Sequence, residues 1–168
     1  MPDKKTLQRA RRDKREGKAP TTQAGEFIRE EMEHIREGKH GARSSKQAIA
    51  IGLSKARRAG VNLPPPAKGA AAEKTRKSAA RDYARGHGAS ARRAATPKRA
   101  RASAQALKRE PRAAASHQAL SRQAHAAASR RSPAQRSQSA RKAAETKGAA
   151  GRALAARKAA HRREMHAT

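Results

Sequence analysis

After Pro64-Pro65-Pro66 the chain has only five large apolar side chains in 102 residues: Tyr83, Leu107, Leu120, Leu154 and Met165. A closed core must offset the entropy of ordering, on the order of 1.5 kcal/mol per residue, and five such side chains do not. The same stretch holds 26 Lys or Arg against 5 Asp or Glu and is about a third Ala. Low hydrophobicity joined to high net charge predicts disorder. Ala and Arg nevertheless favour helix, so transient helices are expected over Pro111–Arg131 and Ala134–Met165, the second weakened by Gly148 and Gly151. Repulsion among the cations opposes these helices, and a polyanion would relieve it.

The first 20 residues read as a basic arm, helical over Lys4–Glu16 and ending at Pro20. Residues 21–66 alone are patterned like a packed fold. Thr22 is the expected N-cap of a first helix whose Ala24, Phe27, Ile28, Met32 and Ile35 recur at helical spacing. Its other face carries Glu26, Glu30, Glu33 and Glu37, and Gly38 ends it. Ser44 with Gln47 forms a capping box for a second helix. Ile49, Gly52, Leu53 and Ala56 make its stripe, and Gly60 followed by Val61 fits a left-handed C-cap. Gly52 marks either a close helix approach, such as a second copy would make, or a glycine without a role.

The expected fold is thus mainly α: a small helical hairpin at 21–66, a basic N-terminal arm at 1–20, and a long Ala/Arg-rich tail at 67–168, largely disordered or transiently helical. Its nine large apolar residues leave the isolated hairpin marginal.

The segment Gly25–Pro66, GEFIREEMEHIREGKHGARSSKQAIAIGLSKARRAGVNLPPP, resembles a family of small basic bacterial proteins with a domain of unknown function. The arm KKTLQRARRDKREGKAPTTQ fits the same resemblance. Members are often labelled DNA-binding or plasmid-stabilisation proteins, and the family offers no active site to transfer. The tail resembles histone H1-like tails in composition only, with Arg favoured over Lys.

A formal charge of +29 is the strongest functional signal. Each Lys or Arg that neutralises a phosphate releases condensed counterions, which gives affinity without sequence readout. The expectation is sequence-tolerant DNA binding in the cytoplasmic nucleoid. The alternatives are a protein-interaction adaptor in plasmid maintenance, or an RNA- or ribosome-associated basic protein. Candidate contacts in the arm are Arg11, Arg12 and Lys14. Arg43, Ser44 and Lys46 sit at the second helix's start, where free N–H groups either bind phosphate or are simply capped. Lys55, Arg57 and Arg58 close that helix. Lys46, Gln47, Lys55 and Arg58 would reach base edges if it served as a recognition helix, which would need a supporting third helix.

In the tail the pattern A-R-[RK]-A-A supplies Arg92, Arg93, Arg141, Lys142, Arg157 and Lys158. Thr96-Pro97-Lys98-Arg99 has the [ST]-P-[KR]-[KR] form that favours narrow A·T-rich grooves.

Other classes are weaker. There is no Cys, and neither H-E-x-x-H nor a compact His/carboxylate set is legible, so no metal or cofactor is expected. Exposed helix carboxylates point to no enzyme. Phe27 and Tyr83 are the only aromatics, which disfavours specific single-strand RNA reading but not non-specific RNA binding. No apolar run suits a membrane span or a secretory leader, so membrane insertion is not expected. The acidic face would serve self-association as a homodimer or a protein partner.

Overall fold

A computed structural model describes residues 2–88 and 96–165, and among these the protein is helical with no strand. The helices are α1 (Lys4–Arg15), α2 (Pro20–Arg36), α3 (Ser45–Arg58), α4 (Glu73–Gly86), α5 (Pro97–Arg109), α6 (His117–Ser129) and α7 (Pro133–Met165). A 3-10 turn, Arg112–Ala115, precedes α6. The chain divides into two units, Met1–Gln123 and Ala124–Thr168.

The hairpin of α2 and α3 forms as its pattern dictates. Ser44 Oγ accepts from Gln47 N at 3.3 Å, and Gln47 Oε1 accepts from Arg43 N at 2.9 Å, completing the capping box. Gly60, at φ +85°, adopts the left-handed conformation that lets Val61 N reach Ala56 O at 3.1 Å. The start of α2 differs from expectation. Thr22 is not its cap: the helix begins at Pro20, with Ala19 in the cap position and no side-chain bond. Proline needs no N–H partner and its φ suits the first turn, so it initiates without a cap.

Gly52 settles as an intramolecular crossing rather than a contact to a second copy. A Cβ there would lie 2.7 Å from Ile28 Cα, so the backbones of α2 and α3 touch at this point. Two small apolar clusters flank the crossing. Ala10, Ala24, Phe27, Ala56 and Val61 form one. Met32, Ile35, Ala42, Ala48, Ala114 and Ala115 form the other.

The arm is a third helix of this unit. Thr6, Ala10 and Asp13 of α1, at i, i+4 and i+7, are buried, and α1 packs on α2. It covers much of the face expected to be free and acidic. Glu26 pairs with Arg9 at 2.8 Å, and Glu30 is sealed at 2% exposure.

The tail corrects a second expectation. It is helical rather than largely disordered, because Ala and Arg propensity suffices for local order, and proline starts α5 and α7. The burial argument still holds locally, since α5, α6 and α7 bury no side chain. Elsewhere tail residues do pack. Ala114 and Ala115 reach the hairpin core, fixed by Ser45 Oγ donating to Ala114 O (2.6 Å) and Arg36 Nε donating to Ala115 O (3.0 Å). Tyr83 Oη donates to Asn62 Oδ1 at 2.6 Å and ties α4 to the loop after α3. The expected helix over Pro111–Arg131 is interrupted at Ser116, whose hydroxyl accepts from Ala119 N and so starts α6 afresh. Within α7, Gly148 at φ 65° breaks the helical path.

Gly52→Ala is expected to lower stability by about 1–3 kcal/mol through overpacking against Ile28. Gly25→Ala, with nothing within 4 Å of the new methyl, should raise it by roughly 0.5–1 kcal/mol. Urea titration followed by circular dichroism checks both signs.

Candidate nucleic-acid interface

The candidate contacts separate by what already holds them. On α1, Arg11, Arg12 and Lys14 are exposed. Lys5, Gln8, Arg9, Arg12 and Arg15 line one shallow surface groove, which sequence reasoning had not grouped. Their signal was helical spacing: positions 5, 8, 9, 12 and 15 share a face. Arg9 is engaged by Glu26, and Arg12 lies 3.7 Å from Glu16.

At the start of α3, Arg43, Ser44 and Lys46 are exposed. The capping bonds form there, so Ser44 serves the helix while the two cations face outward.

The end of α3 is different. Lys55 Nζ stands 2.6 Å from Glu31 Oε2 and 3.5 Å from Glu30 Oε1. Arg57 is 7% exposed and donates to the carbonyls of Leu63 (3.1 Å) and Pro64 (3.5 Å). Burial lowers its pKa, against which the charge of Asp82 acts. Arg58 is exposed but donates to Ser54 O and lies 3.7 Å from Asp82 of α4. Lys55 and Arg57 are therefore internal cations of the hairpin.

In the tail, Lys98 and Arg99 occupy the exposed first turn of α5, directly after Pro97. Arg141, Lys142, Arg157 and Lys158 are exposed on α7. Arg92 and Arg93 lie outside the described residues. The helix α7 carries nine Lys or Arg and two Glu, and no ion pair is found on it among the described residues. No described helix is long and apolar enough to cross a membrane.

The fold also assembles a set that the sequence did not show. Glu31, His34 and His40 each bring one potential ligand atom within 4.8 Å of the others, and Asp3, Glu30 and His34 do likewise. Glu31 and His34 are an i, i+3 pair on α2, while His40 returns on the loop after Gly38.

A model of a family of unknown function, DUF6496, matches residues 18–68, which contain α2 and α3 but not α1 or α4. No curated protein matches, and no solved structure matches.

Lys55→Ala should destabilise the protein by about 3 kcal/mol, because it strands two buried carboxylates. Lys46→Ala, on the exposed first turn, should stay within roughly 0.5 kcal/mol of the parent. Chemical denaturation of the two variants side by side measures the contrast.

Proposed function

We propose that this protein binds duplex DNA with little sequence preference, as a nucleoid-associated protein, through phosphate contacts. The observation that carries this reading is α7: nine cations, all exposed, with two carboxylates among them. Like charges at i, i+4 spacing destabilise a free helix, and a phosphate backbone removes that repulsion. The break at Gly148 divides α7 into two shorter rods, which follow a curved groove more readily than one straight helix does.

The groove on α1 and the outward cations Arg43, Lys46, Lys98 and Arg99 extend the same chemistry. Lys55 and Arg57 do not belong to the contact surface, since Lys55 is paired with buried carboxylates and Arg57 is buried with its guanidinium on backbone carbonyls. Base reading by α3 is disfavoured for the same reason, although α1 does supply a third helix.

Aromatic stacking has little to work with. Phe27 is fully buried, and Tyr83 is stacked on His87 with ring centroids 4.0 Å apart. Single-strand recognition normally uses exposed rings, so duplex phosphate is the better target. An adaptor role finds little apolar surface: among the described residues the exposed large hydrophobics are Leu154 and Met165, both on α7.

Truncation after Ser132 removes α7 and leaves every described buried side chain in place. The slope of log affinity against log salt for a random-sequence duplex should fall in magnitude by about 5, as losing about six phosphate contacts at ~0.9 each requires. An unchanged slope would remove the α7-centred mechanism, and tighter binding to single-stranded RNA than to duplex would replace DNA as the target.

A further inference from the structure

Beyond nucleic-acid binding, and independent of it, the structure holds a second kind of site. Glu31 is fully buried, with side-chain exposure of 1%, and neither of its oxygens has an aligned hydrogen bond. Oε2 faces Lys55 Nζ at 2.6 Å. Oε1 faces His40 Nε2 at 3.0 Å.

The other ring nitrogen of His40 fixes what that second contact means. Nδ1 lies 3.0 Å from the carbonyl oxygen of Gly41. A carbonyl only accepts, so Nδ1 bears the hydrogen. In the neutral ring Nε2 then presents a lone pair beside a carboxylate oxygen and off the hydrogen-bonding line to it, acceptor next to acceptor. Something positive belongs between them: a proton on Nε2 or a metal ion.

Three observations favour the metal. A third donor is present, because His34 brings a ring nitrogen into the same cluster. Charge points the same way: three carboxylates, Asp3, Glu30 and Glu31, meet here, while Lys55 pairs with both glutamates and Lys39, near Asp3 and Glu30, is held by Glu37 at 3.0 Å. The geometry also fits. Two ligands on a tetrahedral ion with bonds of ~2.0–2.1 Å stand about 3.3 Å apart, close to the Glu31–His40 separation.

We propose that Glu31, His34 and His40 bind one transition-metal dication of the zinc class. His40 coordinates through Nε2, Glu31 through Oε1 and His34 through a ring nitrogen. Lys55 orients the carboxylate from its far oxygen, and the Gly41 carbonyl holds the tautomer of His40, as outer partners of metal ligands do. Asp3, 3.4 Å from His34 Nε2, stands at the open side of the cluster. The site joins α2 to the loop that leads into α3, so the metal fastens the hairpin's link.

The test uses tag-free, full-length protein stripped with a chelator. Zinc titrated by calorimetry should bind one per chain and raise the melting temperature. Cobalt should give the visible absorption of a four- or five-coordinate ion. His34→Gln and His40→Gln should each weaken zinc at least tenfold, while His161→Gln, on the exposed face of α7, should not. The cobalt spectrum of the parent protein decides the matter even where a variant fails to fold. Weak binding of many ions, equal in all variants, would overturn the site. A melting temperature that ignores zinc but rises on acidification would also overturn it, assigning a proton to the gap.

Discussion

The crossing of α2 over α3 at Gly52 governs the rest of the hairpin. With no side chain there, the two backbones meet at Ile28 and bring the neighbouring positions into contact. Residues 30 and 31 of α2 are thereby sealed, and Lys55, three residues beyond Gly52, meets both. The core that surrounds this contact is built mostly from Ala, with Phe27, Met32, Ile35 and Val61 as its bulk. Such side chains bury little area each, so polar closure matters more than in a Leu-rich core. Ser45, Arg36 and Arg57 each bond a backbone carbonyl at the boundary. A buried polar group so satisfied rigidifies the fold, whereas one left open costs its full desolvation.

Charge is consequently partitioned. In the first unit the carboxylates are largely matched: Asp13 with Lys18, Glu26 with Arg9, Glu30 and Glu31 with Lys55. The cations left over point outward from α1 and from the start of α3. In α7 almost nothing is matched. A protein that largely neutralises its interior and leaves an uncompensated cationic helix is arranged for local closure in one part and, under the function proposed above, for attraction to a polyanion in another.

The sequence revealed the hairpin because its information is local. The Ser44–Gln47 box and the Gly60–Val61 cap each involve residues a few positions apart, and both formed as expected. What was illegible is non-local. Nothing in the arm itself announces that Thr6, Ala10 and Asp13 face α2, because an amphipathic pattern fixes which face of a helix is covered and not which element covers it. Likewise Ala114 and Ala115 are two alanines among many, and only the space beside Ala42 and Ala48 distinguishes them. The tail's helicity was underestimated because disorder was inferred from missing core area, while helix here follows from backbone propensity alone. For the candidate contacts, exposure decided, and exposure of Lys55 or Arg57 depends on carboxylates and carbonyls that a helical wheel does not contain.

The same partition constrains what the carboxylate–histidine cluster can hold. At +29, the chain's field as a whole repels cations, so only a short-range arrangement can attract one. Screening limits the field to about 8 Å at physiological ionic strength, whereas Glu31, His34 and His40 act at bonding distance. Hard ions gain little from that set. Calcium takes six to eight oxygens, and magnesium keeps most of its waters in an octahedron. Two imidazoles and one carboxylate oxygen, in a pocket whose other oxygen is taken by Lys55, offer neither. They suit an ion that accepts nitrogen ligands and low coordination number. The donor set therefore selects against magnesium, the counterion that accompanies nucleic acid, and would let the proposed phosphate-binding surface and the proposed metal centre coexist on one chain without competing for the same ion.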